Sequence, residues 1–261
     1  MELNYKVYGE GKPLIILHGL FGSSDNWDTL AEQFGESHQV YALDIRNHGN
    51  SPHSDEFNYQ LMVEDLIEFV EKHELDKVNL VGHSMGGKMA MAFVNEYPDK
   101  VNKLVVLDIG VHKYPLHHEE KIRGMMALNL ASISSRSQAD KQLKSDVPHD
   151  MVRIFLLKNL FWNDDKMLEW KFNLHSLAKN LENIFDKVDL DKVFNEPALF
   201  IKGGQSDYID LNQMNLIEEH FSNHSVIVFD KSGHWLHVQE PNRLLETVNK
   251  FIQEDLTHLA S

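Results

Sequence analysis

The chain contains no cysteine, so disulfides are excluded. A reducing compartment is compatible with that, although a secreted chain can also lack them. Positive charge is scarce as well: 25 Lys and Arg stand against 40 Asp and Glu, a formal net charge of −15. Such a surface repels phosphate backbones, so no nucleic-acid partner is expected. No apolar run approaches the roughly 18 residues of a membrane-crossing helix. The opening MELNYKVYGEGK lacks the basic start and apolar stretch of a secretion signal, so the chain reads as cytoplasmic. Histidines number 16. None forms His-Glu-x-x-His, and His117-His118-Glu119-Glu120 lacks the i, i+4 histidine pair of a helical metal site. No metal and no cofactor is expected. The remainder is ordinary globular composition, 42% apolar and 25% charged over 261 residues, a length that one α/β core with an insertion can fill. Nothing in it fixes an oligomeric state.

Short apolar runs alternate with amphipathic segments, which predicts an α/β fold with a mostly parallel sheet covered on both faces. The expected strands are Leu3–Tyr8, Leu14–Leu17, Val40–Leu43, Val78–Val81, Leu104–Leu107, Ala198–Ile201 and Val226–Phe229. The expected helices are Trp27–Phe34, Tyr59–Lys72, Ser84–Glu96, Leu211–His220 and Arg243–Glu254. From about His112 to Phe194 no strand pattern is convincing and helical segments follow one another. Residues 112–194 are therefore expected to form a helical cap on a core made of 1–111 and 195–261. Its apolar side chains, Met125, Met126, Phe155, Leu156, Phe161 and Trp162, are candidates to line a pocket over the sheet.

The stretch VNLVGHSMGGKMAMAFV, Val78 to Val94, holds Ser84 between Gly82 and Gly86. On residue frequencies alone, Gly-x-Ser-x-Gly arises by accident in roughly one chain in ten of this length. Placement therefore has to carry the reading. The serine follows a strand and opens a helix at the carboxyl edge of the sheet, where open α/β sheets bind ligands. A sharp strand-to-helix turn pushes its oxygen outward and needs small neighbours. The helix start leaves the Met85 N–H free to hold an oxyanion formed when Ser84 attacks a carbonyl. A second loop, His18-Gly19-Leu20-Phe21-Gly22, follows the strand LIIL and offers the Leu20 N–H as the other donor. Serine needs a base, and His234 in Lys231-Ser232-Gly233-His234-Trp235 leaves the last strand at the same edge. His83 should point elsewhere along its turn. Two aspartates satisfy the chain order for the acid that orients His234. Asp108 ends the strand expected beside that of Ser84. Asp207 falls one residue past the Gly-x-x-Asp slot counted from Gly203, which Ser206 occupies.

The set HGLFGSSDNW, DIRNHGNS, GHSMGGK, GGQSDY and SGHW, in this order, resembles the α/β-hydrolase superfamily over nearly the whole chain. Within it the chain is similar to small bacterial esterases that cleave acyl esters and acyl-CoA thioesters, and to mitochondrial abhydrolase-domain relatives. The resemblance implies a twisted, mostly parallel sheet flanked by helices, with the cap inserted after the sixth strand of the family fold. It also implies a Ser84–His234–Asp108 triad assisted by Ser206, with Asp207 as secondary acid. The loop Asp44-Ile45-Arg46-Asn47-His48-Gly49 is expected to be a structural turn first and a substrate contact second. Phe21, Phe155, Phe161 and Trp235 are the expected substrate contacts. The implied activity is cleavage of small-molecule esters or acyl-CoA thioesters with short to medium acyl chains, through an acyl-enzyme. Carbon–carbon bond hydrolases, lyases and cofactor-free haloperoxidases keep the same triad. A non-catalytic small-ligand receptor on the same scaffold is the rival from another class. A serine at the nucleophile position argues against dehalogenases and epoxide hydrolases.

Overall fold

A computed structural model describes residues 1–116, 118–209 and 214–253. Among these described residues the strands are β1 (Tyr5–Tyr8), β2 (Lys12–Leu17), β3 (His38–Leu43), β4 (Val78–His83), β5 (Val101–Leu107), β6 (Leu160–Trp162), β7 (Leu168–Trp170), β8 (Ala198–Gly203) and β9 (His224–Phe229). Helices of the N-terminal half are α1 (Asp28–Phe34), α2 (Tyr59–Lys72) and α3 (Met85–Glu96). The insertion carries α4 (Glu119–Ala127), α5 (Arg136–Leu143), α6 (Asp150–Leu157), α7 (Leu174–Lys179) and α8 (Leu181–Phe185). The chain returns through α9 (Met214–His220), α10 (Leu236–Gln239) and α11 (Pro241–Gln253). The expected helix Leu211–His220 starts at Met214 within the described residues. Positions 211–213, His117 and Glu254 lie outside them.

Seven strands form one sheet in the order β1-β3-β2-β4-β5-β8-β9, antiparallel only where β1 meets β3. Burial on both faces explains why β2, β4 and β5 read as continuous apolar runs. Alternate residues of β5 point to opposite faces: Leu104 and Val106 join the core beneath α2 and α3, while Val105 and Leu107 join that beneath α1 and α11. The order reverses between β2 and β4, and such a switch point opens a crevice beyond the strand ends. The glycine loop after β2 and the serine turn after β4 border that crevice. Register matches their heights, Leu17 opposite Gly82 and His83 opposite Leu107. Ser84 and Asp108 thus emerge side by side.

The insertion departs from the all-helical expectation in one place, because β6 and β7 pair as an antiparallel hairpin. Each has three residues, too few to show a strand period. Asn163 closes the turn instead: its side-chain oxygen accepts from Met167 N–H at 2.8 Å, and Lys166 takes φ 59°. Both ends of the insertion are tied to α3 by Lys88. Its ammonium donates to the His112 carbonyl at 2.8 Å and to the Asp186 carbonyl, and lies 4.7 Å from the Tyr114 ring centre.

Candidate active site

Ser84 occupies the junction of β4 and α3 with φ 53° and ψ −119°. A side-chain-bearing residue in such a conformation costs about 1–3 kcal/mol and persists only where its surroundings enforce it. Here they do. A Cβ at position 82 would lie 2.4 Å from the Gly86 carbonyl oxygen, and one at position 86 would lie 2.3 Å from that of Leu17. The Ser84 N–H is held by the Leu107 carbonyl at 3.1 Å. The Met85 amide begins α3, so it has no acceptor within the helix.

Asp108 is fully buried and also has a positive φ, 50°. One carboxylate oxygen accepts from the Gly203 N–H at 2.9 Å. The other accepts from the Ser206 hydroxyl and from His234 Nδ1 at 2.8 Å. That bond leaves Nε2 as the lone-pair nitrogen of the ring. Asp207 is exposed. Ser84 makes no hydrogen bond through its hydroxyl among those of the described residues; contacts of this kind are often loose without substrate.

Two aromatic contacts of His234 were not legible in the sequence. Tyr208 stacks on its ring with centres 4.0 Å apart, and burial together with the Asp108 charge pushes the phenol up to about 12. His83 donates from Nε2 to the His234 carbonyl at 2.8 Å. Burial holds His83 well below the usual histidine range, and it pushes the neighbouring His237 down to about 3. Both rings are therefore neutral at pH 7, and His234 is the one braced by an acid. The tyrosine belongs to the quoted GGQSDY turn; the sequence shows its position but not its stacking.

A cavity of about 710 Å³ opens over these groups, lined by Ser84, His234, Leu20, Phe21, Phe155 and Trp235 among others. Phe155 and Trp235 meet with ring centres 5.6 Å apart. Phe161 is not among the lining residues: it sits on β6 opposite Glu169. Of the other apolar candidates, Leu156 lines the cavity, Met125 is buried in the core, and Met126 and Trp162 are exposed. Asp44 and Arg46 lie outside the lining too. The Asp44 carboxylate accepts from Ser24 N–H at 2.7 Å, Asn50 N–H at 2.9 Å and the Asn4 amide at 2.7 Å. Arg46 forms a buried two-point ion pair with Asp65. Among the described residues no group of His, Asp and Glu is arranged to hold a metal ion, and no helix is long and apolar enough to cross a membrane.

A serine on a strained strand-to-helix turn, a buried aspartate and a loop histidine at one sheet edge define a protein of the α/β-hydrolase class. Comparison with known proteins agrees: the α/β-hydrolase-fold family profile matches residues 12–241, and the chain belongs to that family. It is 38% identical over 243 residues to a putative esterase/lipase of Haemophilus influenzae, covering 93% of this chain and 83% of that one. It is 36% identical over 247 residues to the sn-1-specific diacylglycerol lipase ABHD11 of Mus musculus, covering 92% and 80%. Among solved structures, a marine microorganism esterase superposes with TM-score 0.94 at 40% identity, covering 96% of this chain and 99% of that one.

Proposed function

We propose that the protein is a serine esterase or thioesterase acting through an acyl-enzyme on short to medium acyl chains. The observation that carries this reading is the bond from His234 Nδ1 to the buried Asp108 carboxylate, made by a ring that shares one cavity with Ser84. In this scheme His234 Nε2 takes the Ser84 proton as the hydroxyl attacks the acyl carbonyl. The imidazolium is stabilised by Asp108, then returns the proton to the leaving alcohol or thiol. The Leu20 and Met85 N–H groups hold the oxyanion. Water, deprotonated by the same histidine, releases the acid and restores Ser84. Ser206 secures the second lone pair of the Asp108 oxygen that faces His234.

Relatives named as esterase, lipase and diacylglycerol lipase support an ester as substrate. The cavity volume lies in the range typical of small-molecule sites, and its aromatic wall of Phe21, Phe155 and Trp235 suits an acyl chain. The test is turnover across p-nitrophenyl esters and acyl-CoAs of rising chain length, with Ser84→Ala as control at unchanged circular dichroism. Wild type should turn over C4 faster than C16, and the mutant should neither turn over esters nor take up a fluorophosphonate probe. Equal hydrolysis by Ser84→Ala would sink the mechanism.

A further inference from the structure

The loops after β2 and β3 each contribute a buried histidine, His18 and His48, both at most 1% exposed. Their rings meet edge to face with centres 5.0 Å apart. Their hydrogen bonds are reciprocal. His18 donates from Nδ1 to the Gly19 carbonyl of its own loop at 2.8 Å, and its Nε2 accepts from the Ile45 N–H of the other loop at 3.0 Å. His48 donates from Nδ1 to the Arg46 carbonyl of its own loop at 3.0 Å. Its Nε2 accepts from the Phe21 N–H across the gap at 3.2 Å. Both tautomers are fixed by these partners, since a carbonyl can only accept and an amide N–H can only donate.

The crossing bond from Phe21 meets the loop where it is strained. Phe21 has φ 60°, an uncommon region for a residue with a bulky side chain. Its N–H is the next amide after that of Leu20, which lines the cavity beside Ser84. The peptide that follows Leu20 is therefore held by His48 through the Phe21 N–H, and the next peptide by the Asn159 amide through the Phe21 carbonyl at 2.9 Å. We infer that His18 and His48 form a cross-brace that aims the Leu20 N–H at the oxyanion, making His48 a positioning residue for the reaction. This rests on the reading of Ser84 as nucleophile. Burial supports the neutral state that the brace needs, because it holds His18 below and His48 well below the usual histidine range. A proton on either Nε2 would set N–H against N–H.

Two substitutions separate the bonds. Glutamine reaches as far as Nε2 and can still accept from Phe21, whereas asparagine reaches only to the Nδ1 position and keeps a donor for Arg46. His48→Gln should retain kcat on p-nitrophenyl butyrate within about tenfold. His48→Asn should lose about 10²-fold or more, the usual loss for an oxyanion donor, with KM changed by less than about threefold. Affinity for a trifluoromethyl ketone, which forms a tetrahedral adduct on serine, should fall in parallel with kcat/KM. Thermal melts give the stability of both variants. If they lose kcat equally, or His48→Asn binds the ketone as wild type does, the brace is only structural and the inference is overturned. If the His48 variants do not fold, His18→Gln and His18→Asn apply the same comparison from the other loop and should rank the same way. Failure of the underlying reading is distinguishable, because wild type itself would then neither hydrolyse the ester nor bind the ketone covalently.

Discussion

Replacing Asp108 by asparagine tests the proposed triad at its least replaceable atom. The amide must present one oxygen and one NH₂ where two carboxylate oxygens stood. Gly203 N–H donates to Oδ1 at 2.9 Å, and a backbone donor in a strand cannot turn away. The asparagine oxygen is therefore held at Oδ1, since the opposite flip would leave a buried donor unsatisfied at a cost of about 1–3 kcal/mol. The NH₂ then faces Ser206, which can rotate its hydroxyl to accept, and His234 Nδ1, which can accept only by moving its own proton to Nε2. That tautomer has no lone pair for the serine proton. Loss of an orienting aspartate by this route lowers turnover by about 10⁴-fold. The expected drop in kcat for Asp108→Asn is accordingly about 10³- to 10⁴-fold, or about 4–5.5 kcal/mol of barrier. Asp207→Asn, at an exposed position, should lose less than about tenfold. The assay is kcat on p-nitrophenyl butyrate, with circular dichroism and melting curves for each variant. A larger loss for Asp207→Asn than for Asp108→Asn, both well folded, refutes the argument.

Three further outcomes follow from distances and burial. Gly86→Ala gains about 1 kcal/mol of helix propensity but drives a Cβ to 2.3 Å from the Leu17 carbonyl. Net destabilisation by about 2 kcal/mol or more is expected, and an unchanged or raised melting temperature would contradict it. Lys88→Met removes an amine whose pKa burial pushes down to about 7. Because the unfolded chain still binds that proton up to about pH 10.4, wild type should gain stability relative to the variant as pH rises from 7 to 10. The gain is on the order of 3 kcal/mol; a wild-type stability that falls or stays level relative to the variant over this window in paired melts rejects the assignment. Phe155→Ala opens the wall opposite Trp235 and should raise the octanoate-to-butyrate ratio of kcat/KM by about fivefold. A ratio that stays constant or falls would remove Phe155 from the acyl site.

Much of the core was legible because its physics is local. Buried parallel strands announce themselves as unbroken apolar runs, and Gly82 and Gly86 mark a turn that tolerates nothing larger. The preference for Asp108 over Asp207 drew on strand adjacency together with the family resemblance, and Asp108 is the aspartate that bonds His234. Less legible were contacts joining residues far apart in sequence. Tyr208 against His234, His83 beneath the His234 carbonyl and the His18–His48 pair each depend on where loops meet, which no periodicity encodes. The hairpin in the insertion escaped because three-residue strands have no measurable period. Phe161 was assigned to the pocket on composition, yet the pairing of β6 with β7 places it on the hairpin instead.

The lysine that ties the insertion to α3 makes its bonds to two main-chain oxygens, those of His112 and Asp186. A carbonyl belongs to every residue, so this clasp recognises the path of the chain and is indifferent to the letters written along it. As far as this clasp is concerned the residues between those two points can vary, provided that Asn159 still reaches the Phe21 carbonyl and Tyr114 still lies against Lys88. The helix that fastens the insertion is also the one that begins after the serine. A foreign segment grafted between His112 and Asp186 that keeps these contacts should therefore arrive already in register with Ser84, so the proposed substrate cover could be exchanged apart from the proposed chemistry.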